Sequence, residues 1–369
     1  MFLITSRFPN LTRLELRQCL EITDSGVSAF SKNCNKLKEF SCVDCAFSDL
    51  GIFELLRNCS QLEVLSVTSL YSLRDVRDPA KFRTGLPANT LKVIELRYVY
   101  SERLFEPLIS GSKNLKSLKL YYCGGKWDSW LKMIPDDSGL VEVHLETVNV
   151  TDVGLSSLSK CRYLNSLRIV NINNQLCTNV GLISIAKNCK RLKKLYVGYW
   201  KYTSYIGEEG LIAVGEHSMN LEELILIGVN ATHVSLEVIA RNCQNLVRLE
   251  LSMSETITDV EMSCIAEKCV ALKSLCIEEC CVSNKGIEEF ALGCPNLAKI
   301  RDQTLNAITN DSRVQEHVEE VPPAAYDVGV TGPEPVSTSC TSSRNGDPSS
   351  KISNRVVFYP VGNDDPSCT

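Results

Sequence analysis

Leucine recurs along this 369-residue chain in one short phrase, Leu-x-x-Leu-x-Leu, with other apolar residues sometimes replacing a leucine. Apolar and polar residues alternate within each phrase, which is the pattern of a β-strand with one buried face. In the first phrase Leu14 and Leu16 would point inward, with charged residues between and beside them. The phrases are 24 to 29 residues apart and begin at Leu11, Leu37, Leu62, Leu91, Leu115, Leu140, Leu164, Leu192, Leu221, Leu246, Leu272 and Leu297.

A helical pattern lies between most of these strands. Leu182, Ile185, Ala186 and Cys189 follow the i, i+3, i+4, i+7 spacing of a helix with one apolar face. Ser or Thr precedes such stretches as a predicted N-cap, and Asp often follows, where a carboxylate favours the positive end of the helix dipole. The predicted caps are Thr23, Ser48, Thr151, Thr178, Thr258 and Ser283, and the acidic residues are Asp24, Asp49, Asp152 and Asp259.

A strand and helix of this size cannot bury their apolar faces alone, so neighbouring units must stack. The period is that of leucine-rich repeats. The sequence predicts an α/β solenoid over residues 1–301, with about 11 to 12 repeats in a curved horseshoe. Its parallel strands would line the concave face and its helices the outside. The units between Leu62 and Leu115 are degenerate, because Asp78-Pro79 and Leu86-Pro87 interrupt the pattern.

The two ends of the chain differ from the repeats. Phe2-Leu3-Ile4 fits the end of an earlier repeat's helix, and we expect that upstream sequence is missing. Residues 302–369 are rich in Pro, Ser and Thr and are predicted to be a disordered tail. Within that tail, Val356–Tyr359 is either a short binding segment or simply a β-prone run.

Composition and charge exclude several classes of protein. The net charge of −5 argues against a nucleic-acid binder, which would show a basic stripe. The chain shows no 18-residue apolar stretch and no signal peptide, so no membrane partner is expected. Eighteen cysteines fall at repeat positions rather than in pairs, which favours reduced thiols in the cytoplasm or nucleus.

Most cysteines have a structural interpretation. One set ends the helices, and another takes the place after each strand where leucine-rich repeats put Asn or Cys. Cys42 and Cys45 form a C-x-x-C, but a zinc site would need a second pair in register, and Cys280 is nine repeats away. Cys276 is the exception, since strand alternation points its thiol at the concave face.

The sequence does not support a catalytic function. The four histidines lie on separate elements without a nucleophile at consistent spacing, and no phosphate-binding loop is present. His144 would face the concavity between Glu142 and Glu146. The chain is therefore predicted not to be an enzyme, and to use no cofactor or metal.

The remaining candidate site is the concave face with its rim. Tyr and Trp are the residues that most often anchor a protein partner, although some of those in the turns could pack over their own repeats instead. The candidate partner-binding residues are Tyr98, Tyr100, Tyr121, His144, Arg168, Lys194, Tyr196, Tyr199, Trp200, Tyr202 and Arg248. For Tyr199, Trp200 and Tyr202 the two interpretations are evenly balanced.

The repeats resemble those of F-box/LRR proteins, in which Cys-x-x-Leu-x-x-Leu-x-Leu and Thr-Asp-x-Gly recur. Residues 1 to 300 carry this resemblance. It is closer to the plant VIER F-box group at Pro9–Cys19, Leu224–Asn230, Asn242–Leu246 and Gly293–Leu297.

The resemblance implies a substrate receptor of an SCF-type ubiquitin ligase, acting in ubiquitin-dependent protein degradation. In that family an F-box binds the Skp-type adaptor, and through it the cullin, while the repeats present a protein target. No F-box precedes Leu11, so this chain would hold a target without joining the ligase. The alternative is a free-standing leucine-rich-repeat scaffold or inhibitor that binds a protein partner.

Overall fold

The repeats form one parallel sheet whose strands follow each other in chain order. A computed structural model describes residues 10–70, 90–100, 108, 112–136, 138–171, 177–199 and 205–302, and the backbone of 355–358. The strands are β1 Arg13–Arg17, β2 Glu39–Cys45, β3 Val64–Leu70, β4 Val93–Arg97, β5 Ser117–Tyr121, β6 Glu142–Glu146, β7 Ser166–Asn171, β8 Lys194–Tyr199, β9 Glu223–Ile227, β10 Arg248–Thr258, β11 Ser274–Cys281, β12 Lys299–Asp302 and β13 Arg355–Phe358. The predicted leucine-rich-repeat solenoid is confirmed.

Helices connect most of the described strands, because the crossover between parallel strands is usually an α-helix. Those within the described ranges are α1 Asp24–Ser31, α2 Asp49–Asn58, α3 Trp127–Leu131, α4 Asp152–Leu158, α5 Asn179–Asn188, α6 Glu208–His217, α7 His233–Asn242, α8 Asp259–Lys268 and α9 Asn284–Gly293. The Ser and Thr residues predicted as N-caps all accept a hydrogen bond from the first turn of their helix, as Thr178 does from the backbone N–H of Val180.

The core lies between the sheet and the helices. In β5, Leu118 and Leu120 are fully buried, while Lys119 between them is half-exposed on the other face. The short helix α3 replaces the usual aliphatic residues with Trp127 and Trp130, whose rings meet edge to face at 5.0 Å. Both are buried, so this unit fills its layer with two large side chains instead of a longer helix.

At four helix starts within the described ranges, an aspartate joins the helix to the next repeat. Asp152, the first residue of α4, accepts hydrogen bonds from the backbone N–H and the hydroxyl of Thr178 at 2.8 and 2.7 Å. It also accepts one from the N–H of Gly181 at 3.0 Å. Asp24, Asp128 and Asp259 make the equivalent bonds to the caps Ser48, Thr151 and Ser283. The carboxylate therefore connects two repeats, beyond its predicted effect on its own helix.

The cysteines also connect repeats. The thiol of Cys189, at the end of α5, lies 3.7 Å from the carbonyl of Cys161 in the preceding repeat. The thiol of Cys45, the last residue of β2, lies 3.7 Å from the carbonyl of Leu16. Burial raises the pKa of Cys189 to about 12 and that of Cys45 to about 11. These thiols act as small buried groups with a weak donor.

The C-terminal region differs from the prediction at one point. Arg355–Phe358 falls within the predicted disordered tail, yet its backbone forms a parallel strand beside β1, in register from Arg13 with Arg355 to Leu16 with Phe358. Val and Phe favour strands, and an edge strand offers unpaired backbone groups to such a segment. The rest of the predicted tail, from residue 303 onwards, lies outside the described residues.

Candidate functional site

The face of the sheet turned away from the helices, here called the open face, carries the outward strand residues. Parallel pairing aligns them in columns across the repeats. The central column runs through Lys119, His144, Arg168, Tyr196 and Ile225, one residue from each of β5 to β9. The spacing of adjacent strands, about 4.8 Å, brings each of these side chains within reach of the next.

Tyr121 and His144 meet on this face. The Tyr121 hydroxyl and His144 Nδ1 are 3.3 Å apart, and His144 Nε2 lies 3.1 Å from a carboxylate oxygen of Glu142. Lys119 Nζ approaches the same carboxylate at 3.3 Å. The imidazole is thus held between a phenol and a carboxylate that a lysine also neutralises.

Arg168 and Tyr196 form the neighbouring contact. The guanidinium carbon lies 3.6 Å from the centre of the Tyr196 ring, a cation–π geometry, and a guanidinium nitrogen lies 3.6 Å from Glu146. Gly198, two residues further along β8, leaves room for the ring, since a Cβ there would lie 2.9 Å from Tyr196 Cε1. A larger residue at this position would displace Tyr196.

A second cation–π pair completes the cluster. Arg97 lies over Tyr121 at 4.0 Å and faces Glu95 at 3.7 Å. Arginine, tyrosine and carboxylate side chains thus form one patch over β4 to β8, in two contact groups that the strand pairing of His144 with Arg168 places side by side. We call it the central cluster: Arg97, Tyr121, Glu142, His144, Glu146, Arg168 and Tyr196.

Burial sets the charge states within the central cluster. Partial burial lowers the pKa of His144, and this effect outweighs the opposite influence of Glu142. Burial likewise raises the pKa of Tyr121 to about 12. At neutral pH the imidazole and the phenol are both uncharged, so the cluster offers arginine cations, carboxylates and neutral polar groups. That mixture suits hydrogen bonding to a polypeptide.

The other predicted site residues lie around this centre. Lys194 on β8 pairs with Glu223 at 2.6 Å, and Arg248 on β10 pairs with Glu250 at 3.0 Å. Tyr98 stacks on Tyr122 in the turns after β4 and β5, with ring centres 5.1 Å apart. Tyr100 is 65% exposed in the same region. These turns form an aromatic rim beside the central cluster.

Two residues considered for this face, Tyr199 and Cys276, are buried. Tyr199 is only 3% exposed, and its hydroxyl donates to the carbonyl of Cys177 at 3.3 Å, so it is buried against the preceding repeat. Cys276 does point to the open face, but neighbouring side chains leave it 8% exposed, and burial raises its pKa to about 12. Trp200 and Tyr202 lie outside the described residues.

Sequence reasoning missed the pairing between strands. It placed His144 between Glu142 and Glu146 along β6, but it did not identify Tyr121 on β5 as a partner of His144 or Arg168 on β7 as a partner of Glu146. Aligning the repeats on their leucines would have put these residues side by side. Within the described ranges, no group of three or more His, Cys, Asp or Glu side chains is placed to hold a metal ion.

Comparison with known proteins gives distant relatives. The chain is 22% identical over 289 residues to coronatine-insensitive protein homolog 2 of Oryza sativa subsp. indica, covering 73% of this chain and 48% of that protein. It is 27% identical over 297 residues to GRR1-like protein 1 of Arabidopsis thaliana, covering 72% and 48%. These relatives are plant F-box/LRR proteins. The chain spans about half the length of each.

Neither the family models nor the solved structures identify the function of this chain. No family model matches the chain. A crystal structure of the Rad7 and Elc1 complex in yeast contains a chain that aligns with a TM-score of 0.48 at 15% identity, covering 80% of this chain and 82% of that one. Among the residues that the structure describes, no helix is long and apolar enough to cross a membrane.

Proposed function

We propose that this chain is the target-binding repeat region of a substrate receptor for an SCF-type ubiquitin ligase. The similarity to plant F-box/LRR proteins supports this role. The observation that carries it is the central cluster, a preformed patch of arginine and tyrosine on the open face. The chain itself would bind and present a protein, with the transfer chemistry done elsewhere in the ligase.

The central cluster is suited to a protein segment for a physical reason. Arg and Tyr lose little conformational freedom when a partner binds, because each is already held by stacking and ion pairs. Arg168 is fixed against Tyr196 and Glu146, and Arg97 against Tyr121. Such residues are enriched among those that dominate binding energy at protein interfaces. A target would contact these rings and guanidinium groups directly.

The ligase role is tested by co-purification. The longest protein expressed from this gene would be purified from cells and probed for the Skp-type adaptor and cullin. We expect both to co-purify, and the bound target to accumulate when the gene is silenced. A stable complex with a target whose abundance does not respond to silencing, and without adaptor, would instead favour a scaffold or inhibitor.

A further inference from the structure

A groove lies away from the central cluster, at the edge of the sheet where the helices lead into the strands. It encloses about 400 Å³ and spans the starts of β2 to β5. We call it the basic groove, and the residues that define it are Lys38, Gln61, Glu63, Lys92, Asn114 and Lys116. The proposed function assigns it no role.

The repeat geometry places the charged residues of the basic groove in a row. The N–H of Glu63 donates to the carbonyl of Lys38 at 2.7 Å, that of Lys92 to Glu63 at 2.8 Å, and that of Lys116 to Lys92 at 2.8 Å. Neighbouring strands in the sheet are about 4.8 Å apart, so the backbones of Lys38 and Lys116, three strands apart, are separated by about 14 Å across the sheet. Side chains at these positions therefore project side by side.

The basic groove carries more positive than negative charge, with three lysines and one glutamate among its defining residues. Lys92 Nζ pairs with Glu63 at 2.8 Å, which neutralises one of the three ammonium groups. Lys38 and Lys116 are exposed and have no carboxylate within ion-pairing distance among the residues that the structure describes. The pKa of Glu63 is lowered, first by the hydrogen bond from Lys92 and also by the charge of Lys38, which indicates a positive field in the groove.

The same row offers a contrast further along the solenoid. There Lys193 pairs with Glu222, its neighbour in the ladder, at 2.6 Å, and this pair is flanked by Asn165 on one side and Val247 on the other. The Lys193–Glu222 pair is thus neutral, whereas the basic groove between β2 and β5 has two lysines without an acidic partner. Two unpaired ammonium groups beside an existing ion pair would be stabilised by an added anion.

We propose that the basic groove binds an acidic segment of a protein, with carboxylates pairing to Lys38 and Lys116. In an extended strand alternate side chains share one face at about 6.8 Å intervals, so two to three Asp or Glu residues fit the 14 Å row. Lysine suits single carboxylates, whereas planar bidentate recognition would call for arginine. Among the described residues that line the groove there is no aromatic ring to stack on a nucleobase, which disfavours single-stranded nucleic acid.

The test measures binding of a fluorescent peptide of alternating Glu and Ser to the full chain by anisotropy at low ionic strength. A peptide with Gln in place of Glu is the control ligand. We expect the acidic peptide to bind, the Gln peptide not to bind, and binding to be lost in high salt because screening weakens exposed ion pairs.

Matched variants locate the site. Lys38→Gln with Lys116→Gln should weaken binding about fivefold or more, since each exposed pair contributes a modest amount. Lys187→Gln with Lys273→Gln removes the same charge from exposed positions elsewhere and should change affinity by less than about twofold. Thermal unfolding would verify that all four substitutions preserve the fold.

Three results would overturn the proposal. Absence of peptide binding would do so directly. An equal loss in both double variants would mean that net charge, rather than the basic groove, attracts the peptide. Tighter binding of a single-stranded oligonucleotide of equal charge, with the same dependence on Lys38 and Lys116, would assign the groove to nucleic acid. None of these outcomes depends on what the central cluster binds.

Discussion

Asp152 accepts a hydrogen bond from the backbone N–H of Gly181 at 3.0 Å, although the two residues lie in the first turns of successive helices. The contact explains the recurring Thr-Asp-x-Gly phrase. A Cβ at position 181 would lie 2.6 Å from Asp152 Oδ1, so only glycine admits the carboxylate of the preceding repeat. Gly51 and Gly154 stand in the same relation to Asp24 and Asp128.

Gly181→Ala is therefore expected to destabilise the fold. The added methyl group would also meet Leu155 Cδ1 at 2.6 Å, and overpacking of this kind costs about 1–3 kcal/mol in the free energy of unfolding. Urea denaturation measures the change. Gly26→Ala is the matched control at the same place in α1, where the nearest atom to a new Cβ is 3.7 Å away. It should gain up to about 1 kcal/mol from helix propensity. Equal effects at both sites would contradict the account.

The Asp152 bridge itself can be removed in two steps. Asp152→Ala leaves the N–H groups of Thr178 and Gly181 without their acceptor and should cost about 1–3 kcal/mol. Asp152→Asn keeps one acceptor oxygen and should cost less. Asn179 already serves this way, accepting from the N–H of Gly207 at 2.8 Å. An Asn variant as unstable as the Ala variant would show that charge, and not the hydrogen bonds, stabilises the junction.

The fold was largely predictable because the same sequence signals recur in each repeat. Alternating leucines define the buried strand face, and Ser or Thr at each helix start supplies the cap. The Asp152 bridge was not predicted, because its partner lies in the next repeat and follows only when repeats are aligned. The burial of Tyr199 was left open for the same reason, because its hydroxyl donates to the carbonyl of Cys177 in the preceding repeat.

His144 should make the stability of the fold depend on pH. Burial lowers its pKa below the ordinary value, so the unfolded chain binds the proton more readily than the folded chain. Stability should consequently fall as the pH drops from about 7.5 to about 5.5. His144→Gln should reduce that fall, as measured by urea denaturation at both pH values. His233→Gln changes an exposed histidine on α7 and serves as the control. An unchanged pH dependence in His144→Gln would place the effect on other groups.

In the native protein, the rate at which a cysteine reacts with an alkylating reagent should depend on its burial. Cys281 is exposed and should react in the folded state. Cys189 is fully buried with a pKa raised to about 12, so its thiolate is scarce and its sulfur is covered. Mass spectrometry of alkylated peptides would measure both. Modification of Cys189 at the rate of Cys281 in native protein would mean that α5 opens readily.

Replacing Cys189 tests its role in packing. Cys189→Asp would place a carboxylate among apolar side chains and should cost on the order of several kcal/mol or force protonation of that group. Cys189→Ser keeps the size and a donor and should be milder. Thermal unfolding distinguishes them. If the two variants have the same melting temperature, water reaches position 189 more readily than its full burial implies.

The most direct test of the central claim is site-specific photocrosslinking from the open face. A benzophenone amino acid would replace Ile225, which neighbours Tyr196 in the central column, or Val180, which is 65% exposed on helix α5. The account predicts that the main co-purifying protein crosslinks from position 225 and not from position 180, and that Arg168→Ala weakens this crosslink while thermal stability is preserved. Crosslinking from position 180 alone, with binding insensitive to Arg168→Ala, would contradict it.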